Sequence, residues 1–139
     1  MNAVTLETPR SDTLSTEVTL AALAVAHYEQ VYALCHAFYD DPGLCLNLTN
    51  QWFQDSAAAP DLATVCRRAV QALSRRPNLP LPIPSCGRLT NLAWLLKDAA
   101  GLRYADIGAV LDMDVEQVKF AIAEAREAAL AFASDLAAA

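Results

Sequence analysis

The sequence has few basic residues and no long apolar run. Its 139 residues carry 10 Lys and Arg against 16 Asp and Glu, a formal net charge of −6. A chain this acidic as a whole is not a general nucleic-acid binder. The longest apolar run falls far short of the ~20 residues that a membrane helix needs. The polar first residues lack the basic start and apolar stretch of a signal peptide, so we expect a cytoplasmic protein.

Patterns typical of catalysis and metal binding are also missing. No Gly-rich phosphate loop, nucleophile motif or paired metal-ligand spacing occurs, so we expect neither an enzyme nor a cofactor. The four cysteines show no C-x-x-C spacing, and reduced thiols in the core are the expected state. A zinc site built from Cys35, His36 and Cys45 is the alternative, although zinc ligands usually show tighter paired spacing.

Apolar residues repeat at helical spacing, and no strand pattern occurs along the chain. The sequence predicts an all-α fold with a three-helix N-terminal unit over residues 16–76 and a three-helix C-terminal unit over 89–132. Residues 1–15 and 133–139 are expected to be tails. Four prolines in residues 77–88 exclude helix there and favour an extended linker. The N-terminal unit alone is of marginal size, so we expect the two units to depend on each other or on a partner.

The C-terminal unit contains the pattern of a helix-turn-helix. A helix over about Tyr104 to Leu111 is followed by a turn at Asp112 and Met113. A second helix then begins after Asp114, whose carboxylate makes it a good N-cap. In DNA-binding proteins such a second helix enters the major groove. The apolar spacing alone, however, would favour a plain helical hairpin in a bundle.

Charge is distributed unevenly between these parts. Residues 112–127 carry five acids and two bases, a net charge of −3 where the DNA would lie. Residues 61–104 carry seven bases and two acids, and the only concentrated basic patch is there, at Arg67, Arg68, Arg75 and Arg76. A solvated helix face with a partner for the helix dipole is the simpler explanation of these arginines. If the protein contacts nucleic acid, they are the expected contacts.

The order of these parts resembles a bacterial RNA polymerase sigma factor of the extracytoplasmic-function group. The matching segments are HYEQVYALCHAFYDDPG, LTNQWF, VCRRAVQALSRR, GLRYADIGAVL and VEQVKFAIAEAREAAL. The resemblance covers residues 20–130. It implies an N-terminal domain that binds the polymerase clamp and approaches the downstream promoter element. It also implies a flexible linker and a C-terminal helix-turn-helix that reads the upstream element.

The chain departs from that family in its N-terminal part. The family places carboxylates on the clamp-binding helix, where this chain has Gly43, Leu44, Leu46, Asn47 and Gln51. Leu44 and Leu46 are therefore candidates for an apolar patch. The stretch between Phe53 and Leu62 is too short for the loop with which the family captures an unpaired promoter base.

The C-terminal part departs from the family as well. Asp112 stands in the turn where glycine is usual, but aspartate tolerates the left-handed conformation. Phe120, Ala121 and Glu124 replace small polar and basic residues on the second helix, and only Lys119 is kept on the reading face. Phe120 is expected either in the core or, if exposed, at a protein interface.

Two hypotheses about function follow from this resemblance and its departures. In the first, the protein is a diverged sigma factor in transcription initiation that binds RNA polymerase core. Its DNA contacts would come from Arg67, Arg68, Arg75, Arg76, Gln117 and Lys119. In the second, it keeps the sigma shape but binds protein, either an anti-sigma factor or polymerase without promoter reading. That interface would include Leu44, Leu46, Asn47, Gln51 and Phe120. Neither hypothesis involves a membrane or a small-molecule substrate.

Overall fold

The computed structural model describes residues 26–56 and 61–138. Over these ranges the chain forms helices and no strand, which confirms the predicted all-α class. Helix α1 is described over residues 26–38. It is followed by α2 (Pro42–Asp55), α3 (Leu62–Ser74), α4 (Arg88–Asp98), α5 (Tyr104–Leu111) and α6 (Val115–Ala138). The tail expected over residues 1–15 lies outside the described part, as does the predicted start of the first helix.

Among the described helices, none is long and apolar enough to cross a membrane.

Capping hydrogen bonds to aspartate side chains explain where α2 and α3 begin. The Asp41 carboxylate accepts a hydrogen bond from the Leu44 backbone N–H at 3.2 Å, and Pro42 occupies the first turn, where no N–H is needed. Asp61 does the same for α3, accepting from the Thr64 backbone N–H at 2.7 Å. Hydrogen bonds from the Thr64 side chain and backbone hold the pKa of Asp61 below its usual range.

One hydrophobic core joins the two predicted units. It contains Leu34 of α1 and Leu73 of α3 together with Leu96 of α4, Ile107 of α5 and Ile122 of α6, all buried. Helix α3 contacts both α4 and α5. The two groups of helices therefore pack against each other, which is one of the two arrangements that the sequence left open.

The Pro-rich segment before α4 does not form the extended linker that we expected. Although its prolines exclude helix as predicted, Leu79, Ile83 and Cys86 are buried. The wholly buried side chain of Asn91 holds the segment in place. Its Oδ1 accepts from the Ile83 N–H at 2.9 Å, and its Nδ2 donates to the carbonyls of Ile83, Cys86 and Gly87 at 3.1, 3.1 and 2.9 Å. The segment folds back because its apolar residues and its backbone polar groups both find partners on the helices.

The C-terminal end also differs from our expectation. Residues 133–138, predicted as a tail, continue α6 to Ala138. Alanine has the highest helix propensity, so an alanine-rich end extends a helix readily. This last part of α6 is exposed, and Leu136 retains 63% of its accessible surface.

Candidate functional site

The predicted turn between α5 and α6 is present. The C-cap of α5 is Asp112, whose φ of 57° and ψ of 51° are left-handed, as the sequence led us to expect. The turn also depends on Gly108, because a Cβ there would lie 2.5 Å from the Met113 carbonyl oxygen. The Met113 N–H donates to the Gly108 carbonyl at 2.9 Å. A side chain at position 108 would therefore separate the two helices.

Helix α6 begins with a reciprocal pair of hydrogen bonds between Asp114 and Gln117. The Gln117 N–H donates to the Asp114 carboxylate at 2.8 Å, and the Asp114 N–H donates to the Gln117 side-chain oxygen at 3.0 Å. This arrangement is a capping box. It confirms Asp114 as the N-cap and occupies the side-chain oxygen of Gln117, one of the predicted DNA contacts.

The two bases of α6 already have acidic partners. The Lys119 ammonium lies 3.7 Å from a Glu116 carboxylate oxygen and 5.7 Å from the centre of the Tyr104 ring. Arg126 donates two hydrogen bonds to Asp98, at 3.1 and 2.6 Å. These bonds hold the pKa of Asp98 below its usual range. The helix therefore offers no surplus positive charge to a phosphate backbone.

A groove of about 680 Å³ opens between the start of α4 and the first half of α6. We call it the helix-turn-helix groove. Its lining combines the apolar residues Leu89, Leu111, Met113, Phe120 and Ala121, the polar residues Thr90 and Gln117, and the acidic residues Asp112, Asp114, Glu116 and Glu124. Phe120 is 75% exposed and Leu89 is 49% exposed. Of the two positions expected for Phe120, the structure shows the exposed one.

A second groove, of about 280 Å³, lies between α2 and α3. We call it the arginine groove. Its polar lining consists of Gln51, Asp55, Arg68, Gln71, Arg75 and Arg76, above Leu48, Trp52 and Ala72. Three of the four predicted arginines therefore converge here, because positions separated by seven or eight residues share one helix face. Arg67 is exposed but does not line this groove.

Arg76 has an aromatic neighbour beside the arginine groove. Its guanidinium carbon lies 5.7 Å from the centre of the Tyr39 ring. A cation at that distance from an aromatic face is attracted to the ring. The contact helps to hold Arg76 at one end of the groove.

Leu46 does not share a side of α2 with the other interface candidates, Leu44, Asn47 and Gln51, which are spaced three and four residues apart. Leu44 is half-buried, whereas Leu46 is 46% exposed and Asn47 is exposed as well. Residues two apart on a helix do not share a face, so Leu44 and Leu46 do not lie side by side on α2. Gln51 lines the arginine groove instead.

The alternative zinc site is not assembled either. Cys35 and Cys45 are both buried, whereas His36 is exposed beside Tyr32 with 5.8 Å between the ring centres. No cluster of three or more potential metal ligands occurs among the described residues. All four cysteines are buried and free, as expected. Burial, with a smaller contribution from Cys45, raises the pKa of Cys35 to about 12.

The structural roles of Gln117, Asn91 and Leu89 were not predicted from the sequence. Gln117 follows Asp114 by three residues, which is the spacing of a capping box and could have been recognised. Asn91 interrupts the apolar pattern of α4, which signals a polar group with buried partners. No comparable signal marks Leu89 as part of a groove, because its exposure depends on how α6 crosses α4.

No family model, curated protein or solved structure matches the chain.

Proposed function

We propose that the protein acts in the control of transcription initiation by binding a protein partner through its helix-turn-helix. The sigma-like order of segments supports a role in transcription initiation. It also suggests that the partner is RNA polymerase core or an anti-sigma factor. The observation that carries the proposal is the acidic and apolar surface of α6, with Phe120 exposed at its centre. This proposal is the second of the two hypotheses drawn from the sequence.

Electrostatics disfavour DNA at this surface. Four carboxylates line the helix-turn-helix groove, at Asp112, Asp114, Glu116 and Glu124. A specific DNA complex instead requires several cationic contacts to phosphates. Two like charges at about 4 Å repel by about 1 kcal/mol even in water. Several such repulsions would oppose the phosphate contacts on which affinity depends.

The exposed apolar residues favour protein. Burying a phenylalanine side chain contributes about 1.5–3 kcal/mol, and binding energy at protein interfaces is concentrated in a few such anchors. Phe120 and Leu89 lie on opposite sides of the same groove, on α6 and α4. A partner side chain placed between them would bury both.

The arginine groove supports a second candidate function, the binding of promoter DNA by the N-terminal helices. Arg68, Arg75 and Arg76 face one cavity there, and three cations on one face suit a phosphate backbone. If this function holds, replacing all three by alanine should weaken DNA binding and lower its salt dependence by a slope of about 3. The same replacements should leave protein binding through Phe120 unchanged.

The proposal is tested by copurification from the host lysate with nuclease present. We expect the tagged protein to retain RNA polymerase subunits or one anti-sigma factor, because the contact does not pass through DNA. Phe120→Asp should lose the partner. Leu136→Asp is the matched control, since Leu136 is also an exposed apolar residue of α6 but lies outside the groove. Nuclease-sensitive recovery, unaffected by Phe120→Asp, would contradict the proposal.

A further inference from the structure

We infer that the helix-turn-helix groove binds one face of a basic amphipathic helix. This inference rests on the proposed function and adds the chemistry of the partner. It depends on three properties of the groove, namely its length, its apolar floor and the sign of the charge around it.

The groove has the length of a short helix contact. Its lining on α6 runs from Glu116 to Glu124, eight steps that cover about 12 Å at 1.5 Å per residue. Glu116, Phe120 and Glu124 are spaced four residues apart, so they lie along one side of α6. A partner helix of about two turns would fit alongside them. Helices bound in grooves place anchors at three- and four-residue spacing.

The floor of the groove suits apolar anchors. Leu111 and Met113 come from the end of α5 and the turn after it, Ala121 from α6, and Leu89 from the start of α4. Methionine is flexible and adapts to the shape of a partner. Phe120, which is largely exposed, stands beside this floor. An aliphatic side chain of the partner could therefore contact apolar surface from three parts of the chain.

The charged side chains that line the groove are all acidic. Its acidic lining contains four carboxylates, and no base lines the groove among the described residues. Most bases near the groove have partners outside it: Arg88 donates to the Ser74 carbonyl, Lys97 lies 4.6 Å from the centre of the Tyr104 ring, Arg103 pairs with Asp106, and Arg126 pairs with Asp98. Lys119 pairs with Glu116 and so offsets one of the four groove carboxylates.

Two helices also begin at this groove, and their N-terminal ends carry partial positive charge. That charge would by itself attract an anion. For α6, however, the Asp114 carboxylate already accepts the Gln117 N–H, and Glu116 adds a second acid in the first turn. The start of α4 has neither a side-chain cap nor an acid in its first turn, so its partial charge of about +0.5 remains. The four carboxylates of the lining outweigh it, even with Glu116 paired to Lys119, and a cationic partner is therefore the complementary one.

The test is a selection from a displayed library of amphipathic helical peptides. All members share the same apolar positions, and their flanking positions are randomised among Lys, Glu and Gln. The complete protein is the bait, and Phe120→Asp is the counter-selection. We expect the selected peptides to be enriched in lysine. Their binding should weaken at least tenfold between about 0.05 and 0.3 M salt, because rim charges are screened.

A charge reversal provides the matched control. Glu116→Lys combined with Glu124→Lys should reverse the preference toward glutamate-rich peptides, at two exposed helical positions of the groove. Glu127→Lys combined with Asp135→Lys makes the same change in net charge at exposed positions outside the groove, and should keep the preference for lysine. An equal effect of the two double variants would overturn the inference. Selection of neutral or acidic peptides by the wild-type protein, or of none, would overturn it too.

The outcomes separate this inference from the proposed function. If copurification depends on Phe120 but the library yields no basic helix, the groove binds protein of another chemistry and only the inference fails. If copurification is nuclease-sensitive and independent of Phe120, the proposed function fails with it. A dimer of the protein that Phe120→Asp dissociates would show a second copy in the groove and would also overturn the inference.

Discussion

Replacing Asn91 by alanine tests how the Pro-rich segment is held. The change leaves the buried Ile83 N–H without its partner and removes a hydrogen bond from the Cys86 carbonyl. The carbonyls of Ile83 and Gly87 are less affected, because they still accept from the backbone N–H groups of Cys86 and Asn91, each at 3.1 Å. An unsatisfied buried polar group costs about 1–3 kcal/mol.

Two such groups, at about 1–2 kcal/mol each, predict a loss of about 2–4 kcal/mol in the free energy of unfolding. For a domain of this size that loss lowers the melting temperature by roughly 8–15 °C. Chemical denaturation followed by circular dichroism measures the free energy, and amide hydrogen exchange reports on Ile83 directly. We expect the Ile83 amide to exchange much faster in the variant, at unchanged helix content.

Asn47→Ala is the control for this experiment. Asn47 is exposed on α2, so its replacement should change stability by no more than about 0.5 kcal/mol. If Asn91→Ala were as mild as this control and the Ile83 amide remained protected, the hydrogen bonds of Asn91 would not be what holds the segment. The segment would then be held by its apolar residues alone.

Three further predictions concern the turn, one ion pair and one thiol. Gly108→Ala should lower the free energy of unfolding by about 2 kcal/mol or more, because the added Cβ meets the Met113 carbonyl and this overpacking outweighs the gain in helix propensity. Arg126→Gln should raise the pKa of Asp98, seen by carboxyl NMR titration. Because the pKa of Asp98 is depressed in the folded state, the pair's stabilisation is present at neutral pH and is lost as the pH falls below about 4. Burial raises the pKa of the Cys66 thiol to about 12, so iodoacetamide at about pH 8 should modify Cys66 only after unfolding.

The Gly108 prediction has a control variant, and the other two have a result that would contradict them. Gly43→Ala should be neutral or slightly stabilising, because its Cβ would meet only Asp41 Oδ1 at 3.5 Å. A similar effect at Gly108 would show that the turn can relax. An unchanged Asp98 titration in Arg126→Gln would show that the pair is not populated in solution. Rapid modification of native Cys66 would show that the core around it opens easily.

Local signals in the sequence predicted the helices well. The bounds of α5 follow from its apolar spacing, and both the left-handed Asp112 and the capping role of Asp114 are confirmed. These features depend on residues within a few positions of each other. The all-α class follows for the same reason, since helical periodicity is visible in each segment.

Features that depend on distant partners were not predictable in this way. The prolines of residues 77–88 exclude helix, but only the packing of Ile83 and the bonds from Asn91 decide that the segment folds back. The helical spacing of Arg68 and Arg76 could predict a shared face, but not that α2 would complete a groove there. Phe120 is different, because it is two residues from both Val118 and Ile122, which are buried on α6. Helical spacing places it away from the buried side and could have predicted its exposure.

The central claim is that the surface of α6 binds protein and not DNA, and one comparison tests it directly. Partner recovery in the presence of nuclease should be measured side by side for Phe120→Asp and Lys119→Ala. We expect Phe120→Asp to abolish recovery of the protein partner and Lys119→Ala to leave it intact, because Lys119 is paired with Glu116. Loss of sequence-specific duplex binding in Lys119→Ala, with partner recovery unchanged in Phe120→Asp, would contradict it and restore the DNA-reading hypothesis.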